Sequence, residues 1–199
     1  MASFLVRIIS LQRLSSRIVP GSRFPKRRFL RARDEAPAFM ENIDFTPDIY
    51  FFDAAEAGLR YLAAELRKRG VLIYFEPESD ADKNKFQKAV EVSDIVKFSH
   101  EKVSDLSFVD QYADKLFIRT MGADGLEFKL CGQEWMKVAS VPNDNVVDWE
   151  GAGDWTTSQF IACLCERDLV GLANDSRCRP RMFRDGQRNG ITLGVVYRQ

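Results

Sequence analysis

Residues 49–75 constrain the fold of this chain more than any other stretch. Ile49-Tyr50-Phe51-Phe52 is a short apolar run of the kind that forms a buried strand. It leads into a helix expected over roughly 54–69, with Ala57, Leu59, Tyr61, Leu62 and Leu66 on its inward side, and Gly70 stops that helix. Val71-Leu72-Ile73-Tyr74-Phe75 is a second buried strand, closed by Glu76-Pro77. Strand, helix, glycine, strand is a βαβ unit, which within one sheet means parallel pairing through a right-handed crossover.

The alternation continues beyond that unit. A helix is expected over Asp82–Ala89, a strand over Ile95–Phe98, and helical or partly helical structure over His100–Gln111. Leu116–Thr120 reads as the next strand, Gly122-Ala123-Asp124-Gly125 as a turn, and Leu126–Leu130 with Trp135–Val141 as a hairpin pair. Residues 145–148 read as a last extended segment before a glycine loop, and Trp155–Glu166 as a helix. Residues 187–196 fit a helix or a strand. The pattern is α/β, a doubly wound and mainly parallel sheet.

Composition narrows the partners. Formal net charge is zero, but residues 1–33 hold nine Lys/Arg and no acid, whereas residues 34–199 hold 20 basic and 29 acidic side chains. An acidic body argues against broad nucleic-acid binding, because a duplex is itself a dense line of negative charge. No run of 18 apolar residues is present, so no membrane span is expected. Cys131, Cys163, Cys165 and Cys178 form no CxxC pair, which fits a reducing compartment and argues against a zinc site. His100 is the single histidine, so a multi-histidine metal centre is excluded. The chain divides at about residue 44. Residues 1–44 are a basic arm, read either as the remnant of two strands (3–11 and 22–33) or as a transit peptide. Residues 45–199 are the folded domain, expected in the cytoplasm, or in a mitochondrion or plastid if residues 1–33 are a transit peptide.

Asp148-Trp149-Glu150-Gly151-Ala152-Gly153-Asp154 is the segment that carries chemistry. Its glycines let consecutive backbone N–H groups approach a ligand with no Cβ in the way. The helix that follows adds its unpaired N–H groups and the positive end of its dipole. Together they suit phosphate charge, and the Asp154 carboxylate supplies a base for an alcohol. The same residues also suit a plain helix start with Asp154 as its N-cap. Thr120-Met121-Gly122-Ala123-Asp124-Gly125 follows a strand, at the edge where open α/β sheets bind ligands, and equally suits a hairpin turn. Cys163 and Cys165 fit packing positions on the last helix, and Arg177, Arg179, Arg181 and Arg184 a solvated tail.

Four segments in order, FEP (75–77), SDIVKFSHEK (93–102), RTMGADG (119–125) and VVDWEGAGD (146–154), resemble the motifs of the PfkB/ribokinase family of carbohydrate and nucleoside kinases. The resemblance covers roughly residues 45–170, the nucleotide-binding C-terminal half of that fold. It implies an ATP- and Mg²⁺-dependent phosphotransferase acting on a sugar or nucleoside hydroxyl. Asp154 would be the base, with Gly151, Ala152 and Gly153 as the anion hole. Thr120, Gly122 and Gly125 would lie along the nucleotide, and Glu101 would help to place Mg²⁺ through water. The chain departs from the pattern at Ser99, usually Asn, at Lys102, usually Glu, and at Trp149 and Glu150 beside the phosphate site. The family's N-terminal half, with its sugar-binding aspartate, is not recognisable before residue 45. A half-fold leaves sheet edge and apolar surface uncovered, so a homodimer or a separate N-terminal half is an expected partner. A catalytically impaired nucleotide-binding or interaction module is the alternative.

Overall fold

The computed structural model describes residues 8–11, 35–41, 45–130, 132–141 and 151–166. The elements follow in chain order as β1 (Ile8–Leu11), α1 (Glu35–Glu41), β2 (Ile49–Phe52), α2 (Ala57–Lys68), β3 (Leu72–Phe75), α3 (Lys83–Val92) and β4 (Ile95–Ser99). Then come β5 (Leu116–Thr120), β6 (Leu126–Leu130), β7 (Met136–Val138) and α4 (Ala152–Glu166). The seven strands form one sheet in sequence order, β1 to β5 parallel and β5–β6–β7 antiparallel. The α/β class and the mainly parallel sheet agree with the alternating pattern of the sequence. Residues 8–11 form a strand, parallel to β2. The segments 22–33, 145–148 and 187–196, with Cys131, Cys178, Trp149, Glu150 and the arginine-rich tail, lie outside the described residues.

The sheet has two buried faces because its central strands alternate two apolar sets. Tyr50, Phe52, Ile73, Phe75, Val96, Phe98 and Phe117 pack under α1, α2 and α3. Ile49, Phe51, Leu72, Tyr74, Ile95, Leu116 and Ile118 face the other way, where Phe160, Ile161 and Leu164 of α4 cover them. Each of those α4 side chains contributes roughly 1.5–3 kcal/mol by burial. Helices thus lie on both faces. The described crossovers β2–α2–β3–α3–β4 all share one face, and α4 covers the opposite one.

Boundaries moved where local chemistry outweighed periodicity. Helix α2 begins at Ala57, which is exposed, and Gly58 and Ala63 join Leu59, Leu62 and Leu66 in the core. Gly70 ends this helix as expected, with a left-handed φ of 82°. Helix α3 starts at its cap Asp82 and runs on to Val92. The segment 100–111 is only partly helical. Only Val109–Gln111 forms a 3₁₀ turn, while Asp105 accepts the Ser107 N–H at 2.9 Å. Short polar side chains at 104, 105 and 107 favour such local bonds over a helical ladder. Val103 and Val109 still reach the core from this loop, and Leu106 and Phe108 pack against it.

Candidate functional site

Parallel strands put the C-terminal ends of β3, β4 and β5 on one edge of the sheet. Register pairs Phe75 with Val96 and Ser99 with Thr120. Alternation then fixes the face: Glu76, Lys97 and Thr120 have the parity of Tyr74, Ile95 and Ile118, which point towards α4. The first turn of α4 sits at this edge, because the Lys97 Nζ donates to the Gly153 carbonyl at 3.0 Å. Further along the helix Phe160 lies against Tyr74, with ring centroids 6.1 Å apart. The helix therefore points its N-terminus at the strand ends.

That N-terminus begins earlier than the sequence suggests. Ala152 is the first helical residue, and the Trp155 N–H is bonded to the Gly151 carbonyl at 2.9 Å. The N–H groups of Ala152, Gly153 and Asp154 precede the helical ladder and have no acceptor within it. Asp154 is thus the third residue of the helix and not its N-cap. Its residue is exposed, as are Gly153 and Trp155. Gly151 has φ 79°, and a Cβ built on it would meet no atom of the described residues within 4 Å. Three leading N–H groups and one accessible carboxylate are what a phosphate-sized anion and an adjacent hydroxyl require.

The other expected site residues are placed at the same sheet edge but do different things. Thr120 ends β5, and its carbonyl accepts the His100 N–H at 3.0 Å, with His100 Nδ1 3.2 Å away. Gly122 has φ 58° and open space around its absent Cβ. Gly125 is different: a Cβ there would lie 2.2 Å from the Val138 carbonyl, so its glycine is explained by the close approach of β7. Glu101 is exposed in the turn after β4, and its N–H donates to Ser99 Oγ at 3.3 Å. Among the described residues no three His, Cys, Asp or Glu side chains converge as a metal site. On α4, Cys165 packs against the core and Cys163 is half-buried, neither in a disulfide.

Sequence reasoning missed the polar cluster under the first turn of α4. Lys97 is buried in a strand whose other central residues are apolar, its side chain 2% exposed. Its Nζ contacts both Glu76 Oε1 and the Gly153 carbonyl. Thr157 Oγ1, one helical turn after Gly153, donates to Glu76 Oε2. A lysine inside Ile95-Val96-Lys97-Phe98 was the available signal, since a buried cation demands a partner.

A model of the pfkB family of carbohydrate kinases matches residues 53–174. This chain belongs to the pfkB carbohydrate kinase family. Solved structures similar to this pfkB-family chain include the ribokinase of Giardia lamblia, 16% identical with a TM-score of 0.52 over 69% of this chain and 51% of that one. Another is Arabidopsis thaliana ribokinase complexed with ribose and ATP, 16% identical with a TM-score of 0.49 over 72% and 51%. The chain spans about half the length of these ribokinases. No curated protein sequence matches it. Among the described residues of this pfkB-family chain, no helix is long and apolar enough to cross a membrane.

Proposed function

We propose that this chain carries the phosphoryl-transfer site of an ATP-dependent kinase that phosphorylates a sugar or nucleoside hydroxyl. The observation that carries the reading is the accessible Asp154 carboxylate beside the three leading N–H groups of α4, at the C-terminal edge of parallel strands. In this reading the acceptor hydroxyl gives its proton to Asp154 as its oxygen bonds to the γ-phosphorus. The bond from that phosphorus to the bridging oxygen breaks, and ADP leaves with the electron pair. The N–H groups of Ala152, Gly153 and Asp154 hold the negative oxygens of the transferred group without reorganising. Thr120 and Gly122 border the nucleotide. Glu101 would help to hold a Mg²⁺ ion brought with the nucleotide, and that ion would supply charge neutralisation at the phosphates.

Two measurements test this. Calorimetric titration with Mg·ATP probes the nucleotide site, and ATP turnover against a panel of sugars and nucleosides probes transfer. Asp154→Asn is expected to lower kcat by about 10²–10⁴, the usual worth of a general base. The Mg·ATP affinity of that variant should stay within roughly threefold, because the N–H cradle is intact. Equal turnover in Asp154→Asn would remove Asp154 from the mechanism. A second reading, a nucleotide-binding or interaction module without transfer, is favoured by Trp149 and Glu150, a bulky ring and an extra carboxylate beside the phosphate turn. Mg·ATP binding with no turnover on any acceptor is the outcome that selects it.

A further inference from the structure

We propose that Glu76, Lys97 and Thr157 form a buried clamp that sets the direction of the Gly153–Asp154 peptide, which makes them positioning residues for the anion-binding turn. The two oxygens of Glu76 hold the start of α4 at two points, one in its first turn and one in its second. Oε1 holds it through Lys97, whose Nζ also donates to the Gly153 carbonyl at 3.0 Å, and Oε2 accepts directly from Thr157 Oγ1. Residues 153 and 157 are four apart, so helical geometry also sends the Thr157 N–H to the Gly153 carbonyl. The ring of contacts closes on itself: Glu76, Lys97, Gly153, Thr157, Glu76.

The Gly153 carbonyl and the Asp154 N–H belong to one planar peptide and point in opposite directions. Fixing the carbonyl from below therefore aims the N–H out of the helix mouth, where the transferred group would sit. Gly153 leaves room for this. A Cβ built there would stand 3.6 Å from both Glu76 Oε1 and Lys97 Nζ, so the clamp lies directly against the glycine.

Energetics separate the clamp from ordinary core packing. Removing a lysine and a carboxylate from water costs about as much as their attraction returns, and apolar replacements of such pairs are often neutral or stabilising. A pair of that kind holds geometry and adds little to net stability. Its catalytic consequence rests on the phosphotransferase reading, while its structural consequence does not.

The test uses the full chain and five variants: Thr157→Val, Thr157→Ser, Lys97→Met, Lys97→Arg and the double Glu76→Gln/Lys97→Met. The first readout is amide hydrogen exchange at Trp155 and Thr156, whose N–H groups close the first turn. Thr157→Val should raise their exchange about tenfold or more while amides of β3 and β4 keep their protection. Thr157→Ser should restore the wild-type rate. Lys97→Met leaves Glu76 unpaired, so the double variant stands in for it should that protein fail to fold, and Lys97→Arg tests how strictly the clamp needs an ammonium point charge. The double variant should melt near the wild-type temperature yet show the same fast first turn. The second readout is kinetic: Thr157→Val should lower kcat roughly 10–100-fold, as loss of an orienting outer partner does, with KM for Mg·ATP within about threefold. Wild-type exchange at Trp155 and Thr156 in both Thr157→Val and the folded double variant would overturn the clamp. A wild-type chain with no turnover would sink the kinase reading and leave the exchange result to decide the clamp alone.

Discussion

Gly122 and Gly125 sit three residues apart in one turn, both at positive φ, yet only one is held there by its neighbours. Gly125 combines φ 89° with ψ −133°, a region open essentially to glycine, and its absent Cβ would strike the backbone at Val138, the end of β7, and at Ser140 just beyond it. Gly125→Ala should therefore cost about 3 kcal/mol or more, strain and overlap together. Gly122 has φ 58° and no atom within 4 Å, so Gly122→Ala should cost only about 1–2 kcal/mol, the ordinary left-handed penalty. Urea denaturation of the two variants checks the difference, and equal losses would show that the β7 approach is not what fixes Gly125. The contrast also sorts the two residues by role. Gly122 meets no described atom at the strand ends, which leaves room for the proposed nucleotide, whereas Gly125 closes a hairpin.

At the scale of elements, α3 shows how a cap ties a helix to pH. Asp82 accepts the Lys85 N–H at 3.1 Å, and that bond is the main reason its carboxyl lies below the ordinary 3.8, with the Lys85 charge a lesser one. A carboxyl lowered in the folded state contributes stability that is complete above its unfolded pKa and is lost as pH falls through the folded one. Asp82→Ala should thus melt below wild type by a constant margin between pH 5 and 7, where both carboxyl states are ionised. The margin should begin to close once the pH drops below 3.8. Thermal melts across that range check it, and a margin unchanged at the lowest pH would separate the cap from the carboxylate charge. Asp82→Asn should keep much of the cap, since its amide oxygen also accepts.

The same scale shows what the sequence made legible. The parallel strands were readable because Ile49–Phe52, Val71–Phe75, Ile95–Phe98 and Leu116–Thr120 are apolar runs too short for helices, and Gly70 ends α2 by a conformation it alone adopts cheaply. Helix α4 starts three residues before the Trp155 that the sequence suggests, because Gly151 to Gly153 read as a ligand-binding loop, whereas Gly153 is held inside the helix by Lys97 from another element. The loop 103–109 imitates a helix through the spacing of Val103, Leu106 and Val109, but its polar residues bond locally. Asp154 and its glycines were visible as a contiguous motif. Glu76, Lys97 and Thr157 were not, because their partnership joins positions 21, 56 and 81 residues apart and exists only once the sheet has formed.

Across the whole molecule, buried polar groups gather at both ends of the sheet and serve different ends. At the C-terminal edge Glu76 and Lys97 hold the turn that faces the proposed ligand. At the opposite edge Asp94, 1% exposed, accepts the Ile73 N–H at 2.9 Å and Arg67 Nε at 3.1 Å, tying β3 and α2 to the start of β4. Nearby, Lys115 Nζ donates to the Ser93 carbonyl at 2.6 Å and the Glu91 carbonyl at 3.1 Å. No part of this second cluster lies at the strand ends where open α/β sheets bind ligands. Asp94→Ala should therefore lower global stability by about 2–3 kcal/mol, since it strands a buried N–H and breaks an ion pair buried on the Asp94 side only. Arg67, 37% exposed, can rehydrate and will soften that loss. Mg·ATP affinity measured on the folded fraction should stay at the wild-type value. Thr157→Val should spare the denaturation midpoint and lower kcat instead, with Mg·ATP affinity again within about threefold. Urea denaturation and calorimetric titration of both variants, with kcat of Thr157→Val, check the contrast. If Asp94→Ala weakened nucleotide binding as strongly as it weakened the fold, the two ends of the sheet would be coupled, and the division of labour between them would fail.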